Sequence, residues 1–353
     1  MNDVRYMKAA VLETVGNIVV KDVPIPAIGD QDVLVKIESC GICGSDIPRV
    51  LQTGTYHFPT VPGHEFAGIV CEIGSDVPTE LLGKRVAVNP LIPCHSCSMC
   101  DVGRYAECIQ YDFRGSRSDG GFAQYVNAPV SNVFVCPEEV DADMACMVEP
   151  ITVALHVIQN CQVSYGDTVA VFGLGAIGMF VAQWAKVFGA SKVYAIDIDS
   201  KKVEIARSLG IEGVSATDVS VLEYILAEQK SGVDLVIEAS GAPISFMTGI
   251  QCLRSSGVLG MVGRYTKPLV LEPSIVERIL RKQLTIKGTW SFESVDFPHH
   301  AWKMSIEALQ KGIIKTSPLV SHILPLEDAF HGIQDLMANK AEDVFKIIVK
   351  PHM

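Results

Sequence analysis

The apolar positions of this 353-residue chain change rhythm near residue 150. Before that point, short runs rich in β-branched residues (VLVKIESC, FAGIVCEIG, RVAVNP, FAQYVNA) are separated by Gly, Pro and Asp turns. Branched side chains suit a half-buried pleated surface, so this stretch predicts a β-rich domain of many short strands. From about Ile151, apolar strand patterns alternate with longer helical ones: TVAVFG, AIGMFVAQWAKVFGA, KVYAID and SKKVEIARSLG, then VDLVIEAS and GVLGMVG. That alternation predicts βαβ units around a parallel sheet. After about Thr289, the helical patterns AWKMSIEALQKG and LEDAFHGIQDLMANK lead to a last strand, VFKIIVK, in a tail that can return to the first domain. No internal repeat or low-complexity segment interrupts this plan.

The length favours two domains, and 48% hydrophobic with 20% charged residues is the makeup of a soluble globular enzyme. A formal charge of -11 would on average repel a phosphate backbone, which argues against nucleic acid as the main partner. Thr168 to Ala185 (TVAVFGLGAIGMFVAQWA) is apolar enough to mimic a membrane span by length. Its three glycines and flanking turn signals fit a buried strand, tight turn and helix better, so no membrane partner is expected. The N-terminal MNDVRYMKAAVLETVG has no charged-then-apolar secretory pattern, which predicts a reducing cytoplasm and eleven cysteines present as thiols or ligands.

Four of those cysteines, Cys94, Cys97, Cys100 and Cys108, fall in PCHSCSMCDVGRYAEC with the spacing C-x2-C-x2-C-x7-C. Four thiolates so close in sequence can close a tetrahedral shell around one Zn2+, a structural site. A pair of disulfides or an iron-sulfur site are the alternatives. Gly173, Gly175 and Gly178 form G-x-G-x-x-G between the strand TVAVF and a helix, with Ala176 and Ile177 between the last two glycines. The pattern predicts a tight turn, close approach of a pyrophosphate to the backbone, and close helix packing, with the phosphates at a helix N-terminus. Asp197, ending KVYAID, is placed to accept from ribose hydroxyls and to repel a 2'-phosphate, which favours NAD over NADP. Lys201 and Lys202 nearby keep NADP open. Cys43 in CGICGSD and His64 with Glu65 in GHEFAG offer one thiolate, one imidazole and a carboxylate, a set that can leave a metal position open to substrate.

CGICGSD, GHEFAG, the cysteine lobe and GLGAIG stand in the order of the zinc-dependent medium-chain dehydrogenases, and the chain resembles that superfamily over essentially its whole length. It looks most like the polyol branch, in which EP-x-x-V-x-x-H follows the cysteine lobe, here EPITVALH. SDIPRV, YDFRGSRSDGGFAQY and EPITVALH are similar to the galactitol-phosphate subfamily within it. The resemblance implies an α/β fold: a Rossmann doubly wound parallel sheet domain over 154–289, and a β-rich GroES-like catalytic domain over 1–153 and 290–353 with a zinc lobe at about 90–112. It implies two zinc ions per chain and NAD, with Cys43, His64 and Glu149 on the catalytic zinc and Glu65 alternating onto the metal or standing behind it.

Ser45 is then the first proton acceptor, and His57 an outer relay. Arg49, Arg114 and Arg117 are candidates to clamp a substrate phosphate. The polyol branch often carries an arginine after the IKG turn, where this chain has Ser291. The expected reaction is hydride transfer from a secondary alcohol of a sugar alcohol or its phosphate to NAD, in a homodimer or homotetramer. An unphosphorylated polyol of sorbitol, xylitol, idonate or butanediol type is the alternative substrate, and a non-catalytic nucleotide-binding protein the alternative class. His299 and His300, beside Pro298, read as solvated loop residues.

Overall fold

The computed structural model describes residues 4–292, 300–338 and 344–353. The chain forms two compact units: Met1–Glu149 with Glu293–Gly312 and Thr316–Met353, and Pro150–Phe292 with Ile313–Lys315. His299 lies outside the described residues.

The first unit opens with an antiparallel hairpin, β1 (Tyr6–Thr14) and β2 (Asn17–Pro24). Then come β3 (Asp32–Gly41), β4 (Glu65–Ile73), β5 (Arg85–Val88), β6 (Leu91–Ile92), β7 (Asp112–Phe113), β8 (Tyr125–Pro129) and β9 (Val133–Val135). Side chains including Leu12, Val35, Ile37, Phe66 and Phe122 fill one core. In β3 the residues that enter this core, Val33, Val35 and Ile37, alternate with Lys36 and Glu38 towards its end, as expected where one face is buried.

The second unit carries β10 (Thr168–Phe172), β11 (Lys192–Asp197), β12 (Glu212–Ser215), β13 (Val233–Glu238), β14 (Leu253–Met261) and β15 (Thr285–Gly288). Their order is β12-β11-β10-β13-β14-β15, all parallel. This is the doubly wound order, whose direction of growth reverses between β10 and β13 and leaves a crevice beyond the carboxyl ends of those strands.

β16 (Val320–Pro325) and β17 (Lys346–Lys350) return the tail to the first unit, completing a sheet ordered β16-β17-β3-β4-β5-β9 with β8 also on β3. His300 departs from the solvated reading: it is half-buried, its ring 5.0 Å from that of Phe134. It sits at the N-cap of the helix Ala301–Gln310, whose apolar face carries its first residue into the core.

Candidate metal and nucleotide sites

The cysteine lobe is a loop pinched at its neck by the β6–β7 ladder, where Leu91 faces Phe113 and Ile92 faces Asp112. Cys94 and Cys108 lie just inside that neck, and the Cys94 N–H donates to Cys108 Sγ at 3.2 Å. Sγ separations are 3.6 Å for Cys97–Cys100, 3.9 Å for Cys97–Cys108 and 4.0 Å for Cys94–Cys100. Four sulfurs tetrahedrally about zinc at about 2.3 Å would stand about 3.8 Å apart, so the donors fit that ion. All eleven cysteines are free thiols. Hydrogen bonding by Ser96 pulls the Cys94 thiol down to about 6, whereas burial pushes Cys100 up to about 12.

A second group is assembled from distant sequence. The β3–β4 register pairs Gly41 with Glu65, so the chain leaving β3 at Cys43 meets the chain entering β4 at His64. Ligand atoms of Cys43, His64 and Glu65 all lie within 4.8 Å of one another. β17 pairs with the end of β3 through Ile348–Gly41 and Val349–Cys40, which brings Lys346 alongside. Its ammonium donates to Glu65 Oε2 and, at 3.1 Å, to the Ile42 carbonyl. Both partners are almost fully buried, at 2% and 1% exposure, and a side chain at Gly41 would collide with the pair.

Charges around this group are matched to hold a cation. Asp46, fully buried, accepts from the Cys43 N–H at 2.9 Å, and its Oδ1 stands 3.4 Å from His64 Nδ1. A proton on Nδ1 facing Asp46 leaves Nε2 as the metal-binding nitrogen. Burial pushes the Asp46 carboxyl up, but His64 and Arg49 pull harder and leave it below the ordinary carboxylate range. Burial depresses the His64 imidazole, yet the negative Asp46 and Cys43 raise it well above normal. Positive charge at His64 is therefore favoured, as expected where a metal ion would sit. Arg49 Nη1 lies 3.3 Å from His64 Nδ1 and donates to Ser45 Oγ at 3.2 Å; Ser45 Oγ donates to Cys43 Sγ at 3.3 Å.

Glu149, in the first turn of the helix Val148–Cys161, is buried but is not one of the donors that converge within 4.8 Å. The resemblance implies Glu149 on the catalytic zinc with Glu65 alternating onto the metal or standing behind it; in the structure Glu65 is the carboxylate that converges with Cys43 and His64. Burial pushes the Glu149 carboxyl up to about 7, and the charge of Glu65 adds to this against His64, Lys346 and Arg49.

In the second unit, Gly173 takes φ +91°, and a Cβ there would stand 2.6 Å from the Ser240 nitrogen. Gly175 has open space around its missing side chain, and a Cβ on Gly178 would strike the Gly173 carbonyl. Tight turn, open approach and close helix contact thus fall on the three glycines in motif order. The helix Ala176–Val187 starts there, presenting Ala176 and Ile177 in its first turn. Asp197 accepts from the Leu174 N–H at 2.6 Å and the Asp199 N–H at 2.9 Å, fixing the turn to the end of β11 while each oxygen keeps a lone pair for a ribose hydroxyl. Asp199 caps the following helix by accepting from the Lys201 N–H at 3.0 Å.

The structure does not bring His57 to Ser45. His57 is exposed, and its ring nitrogens face the Pro59 and Arg117 carbonyls at 3.1 and 3.0 Å. Arg114 and Arg117, in the turn after Phe113, line a cavity that none of the metal-group residues lines. Three residues escaped the sequence reading. Asp46 was available as the last letter of CGSD, while Lys346 gave no signal, since its partner lies almost the whole chain away. Glu238, ending β13, is fully buried and accepts from the Ser240 N–H at 2.9 Å, the Gly241 N–H at 3.0 Å and the Tyr265 hydroxyl at 2.8 Å. It braces the loop on which Gly173 rests.

A doubly wound nucleotide-binding unit, joined in sequence to a β-rich unit with a closed thiolate lobe and a mixed Cys/His/Glu group, defines a zinc- and dinucleotide-dependent oxidoreductase. Residues 29–138 match the alcohol dehydrogenase GroES-like domain and residues 176–310 the zinc-binding dehydrogenase domain. The chain is 35% identical over 337 residues to galactitol 1-phosphate 5-dehydrogenase of Escherichia coli K12, covering 94% of this chain and 97% of that one. The crystal structure of the Escherichia coli galactitol-1-phosphate dehydrogenase superposes with a TM-score of 0.89 at 34% identity, covering 98% and 100% of the two chains. D-xylulose reductase A of Aspergillus oryzae is 33% identical over 346 residues, 94% of this chain and 93% of that one. A zinc-binding dehydrogenase of Sinorhizobium meliloti bound to NADP superposes with a TM-score of 0.89 at 31% identity, over 98% and 100% of the chains. The protein belongs to the zinc-dependent alcohol dehydrogenase family, in its polyol dehydrogenase branch, and uses zinc with a nicotinamide dinucleotide.

Proposed function

We propose that this enzyme oxidises a secondary alcohol of a sugar alcohol or sugar-alcohol phosphate, of the galactitol 1-phosphate type, with NAD as acceptor. The observation that carries the reading is Arg49 beside Ser45 and His64: a fixed guanidinium at the hydroxyl-binding group suits a polyhydroxylated, anionic substrate. The relative of 35% identity that acts on galactitol 1-phosphate supports it. Cys43, His64 and Glu65 would hold the catalytic zinc, and Cys94, Cys97, Cys100 and Cys108 the structural one. Zinc supplies Lewis acidity to a bound hydroxyl, and NAD supplies the hydride acceptor.

The chain's own residues do the rest. Asp46 orients His64, and Lys346 holds Glu65 by its Oε2. Ser45 takes the hydroxyl proton; half-exposed, it hands that proton to solvent without needing His57. Arg49 fixes the Ser45 oxygen and meets the substrate's polar end. Asp197 selects the unphosphorylated adenosine ribose by charge. The test is NAD reduction across polyols and their phosphates, with and without chelator, for the natural enzyme and Arg49→Met. A phosphate ester preferred over its parent polyol, with the preference lost in Arg49→Met, supports the assignment; equal turnover of ester and parent in the natural enzyme moves it to an unphosphorylated polyol such as xylitol. Ser45→Ala should lower turnover by about 10²-fold, the usual worth of a placed proton acceptor, with zinc content unchanged by metal analysis.

The same reading includes a homodimer or homotetramer, favoured by the β15 edge, where Ile286 is 40% exposed and Trp290 61%. It also includes a reducing cytoplasm, in keeping with eleven free thiols. Among the described residues no helix is long and apolar enough to cross a membrane.

A further inference from the structure

The first unit contains a cavity of about 440 Å³ between the β1–β2 hairpin, β8 and the turn after β7. Arg114, Arg117, Lys21, His57 and Asp119 line it, over an apolar floor that includes Val23 and Tyr125. None of Cys43, Ser45, Arg49, His64, Glu65 or Glu149 does. Lys21 is already paired with Glu13 at 2.5 Å, and both His57 nitrogens face backbone carbonyls, so the two arginines are the cations left to a ligand.

Both arginines present buried donors with nothing to receive them. The Nε atoms of Arg114 and Arg117 are inaccessible and have no hydrogen-bond partner. Arg117 is held flat between Tyr56 and Tyr111, its guanidinium carbon 4.1 and 4.4 Å from the ring centres. The two rings therefore fix its direction. Arg114 is half-buried and forms no ion pair among the described residues; Asp112, Asp119 and Asp32 act on it only at longer range, and burial lowers its pKa. Asp119 spends Oδ1 on the Val61 N–H at 2.8 Å. A guanidinium withdrawn from water without an anion is costly, and its Nε/Nη edge matches two oxygens of a phosphate or carboxylate.

We propose that this cavity is a binding site for a small organic phosphomonoester, separate from the metal group. Arg114 and Arg117 are the two cations that meet the phosphate, Arg117 from its aromatic sandwich, and the ligand's carbon portion lies on Val23 and Tyr125. The volume is within the range of small-ligand sites. The inference goes beyond the proposed reaction and does not depend on which alcohol is oxidised.

The test is calorimetric titration of the zinc-loaded, NAD-saturated enzyme with glycerol 1-phosphate, inorganic phosphate and glycerol. We expect a saturable glycerol 1-phosphate site that persists in Cys43→Ala, with weaker binding of inorganic phosphate and none of glycerol there. Arg114→Met should weaken glycerol 1-phosphate at least tenfold, Arg114→Lys should recover part of the loss, and Cys43→Ala should leave it unchanged. Circular dichroism establishes that each variant is folded, and Arg117→Gln serves as a second probe should Arg114→Met not fold. Loss of binding in Cys43→Ala with retention in the arginine variants would overturn the proposal by placing the anion at the metal group. So would equal binding in every variant, or no saturable binding to the natural enzyme. The last two outcomes leave turnover on a sugar-alcohol phosphate unaffected, which separates this failure from failure of the proposed reaction.

Discussion

The two metal-binding groups of this protein are built on opposite principles. The lobe draws four identical donors from one short segment, Cys94 to Cys108, closed by a two-residue ladder. The second group draws three different donors from two chain segments and depends on two strand registers, β3 with β4 and β17 with β3. The lobe's sulfurs satisfy a tetrahedral ion by themselves and leave no position for substrate. Cys43, His64 and Glu65 as three donors would leave one open, and around them stand Asp46, Arg49 and Lys346, whose charges act on the group. A local sequence can make a closed site; an open one needs its vacant side defended by the rest of the fold.

The sharpest break of this comparison sets His64→Ala against Cys100→Ser. His64→Ala should cost at least about 10³-fold in turnover with the lobe metal retained, since it removes the residue on which the open site turns. Cys100→Ser should also drop metal content from two zinc per chain to one, but leave turnover within about tenfold and lower Tm instead. Comparable loss of activity in both would erase the distinction.

Next in size is Lys346→Met, which leaves the buried Glu65 carboxylate without its ammonium. A stability loss of about 3–5 kcal/mol is expected by urea titration, because a buried charge is stranded. Lys346→Arg should lose less. Asp46→Asn comes third: weakening the partner of His64 should cost about 10- to 100-fold in affinity for the catalytic zinc, measured by chelator competition, with the lobe unaffected.

The last effect is spread over pH and is smallest per unit. Glu149 titrates near 7 in the folded chain against an ordinary 4.5, so between those values the folded state binds more proton than the unfolded one. Stability of the metal-free protein should therefore fall as pH rises from 4.5 to 7, by at most about 1.4 kcal/mol per pH unit from this group. Glu149→Gln should flatten that slope; an unchanged slope would assign it elsewhere.

Where donors were close in sequence, the chain could be read directly. The lobe spacing, the G-x-G-x-x-G turn and Asp197 each depend on local geometry: a loop, a positive φ at Gly173, a strand end. The alternation of strands and helices after Ile151 likewise announced the parallel sheet, because period-2 and period-3.6 patterns differ within a few residues. For His57, a histidine in a loop near GHE says nothing of where its ring points, and its nitrogens face carbonyls. Arg114 and Arg117 lie close to Phe113, whose ring is 5.6 Å from that of His64, yet both line a different cavity.

By itself, the sequence carried the thiolate lobe spacing, the dinucleotide turn and the change near residue 150 from short strands to alternating strands and helices, because each is encoded in residue type and short spacing; it left both Glu65 and Glu149 as candidate carboxylates beside Cys43 and His64. Tertiary structure alone decided that Glu65 rather than Glu149 converges with Cys43 and His64, that Lys346 is its counter-ion, and that two arginines face a cavity of their own. Those are questions of register and side-chain direction. They are fixed only when strands far apart in the chain pair and bury their charges together.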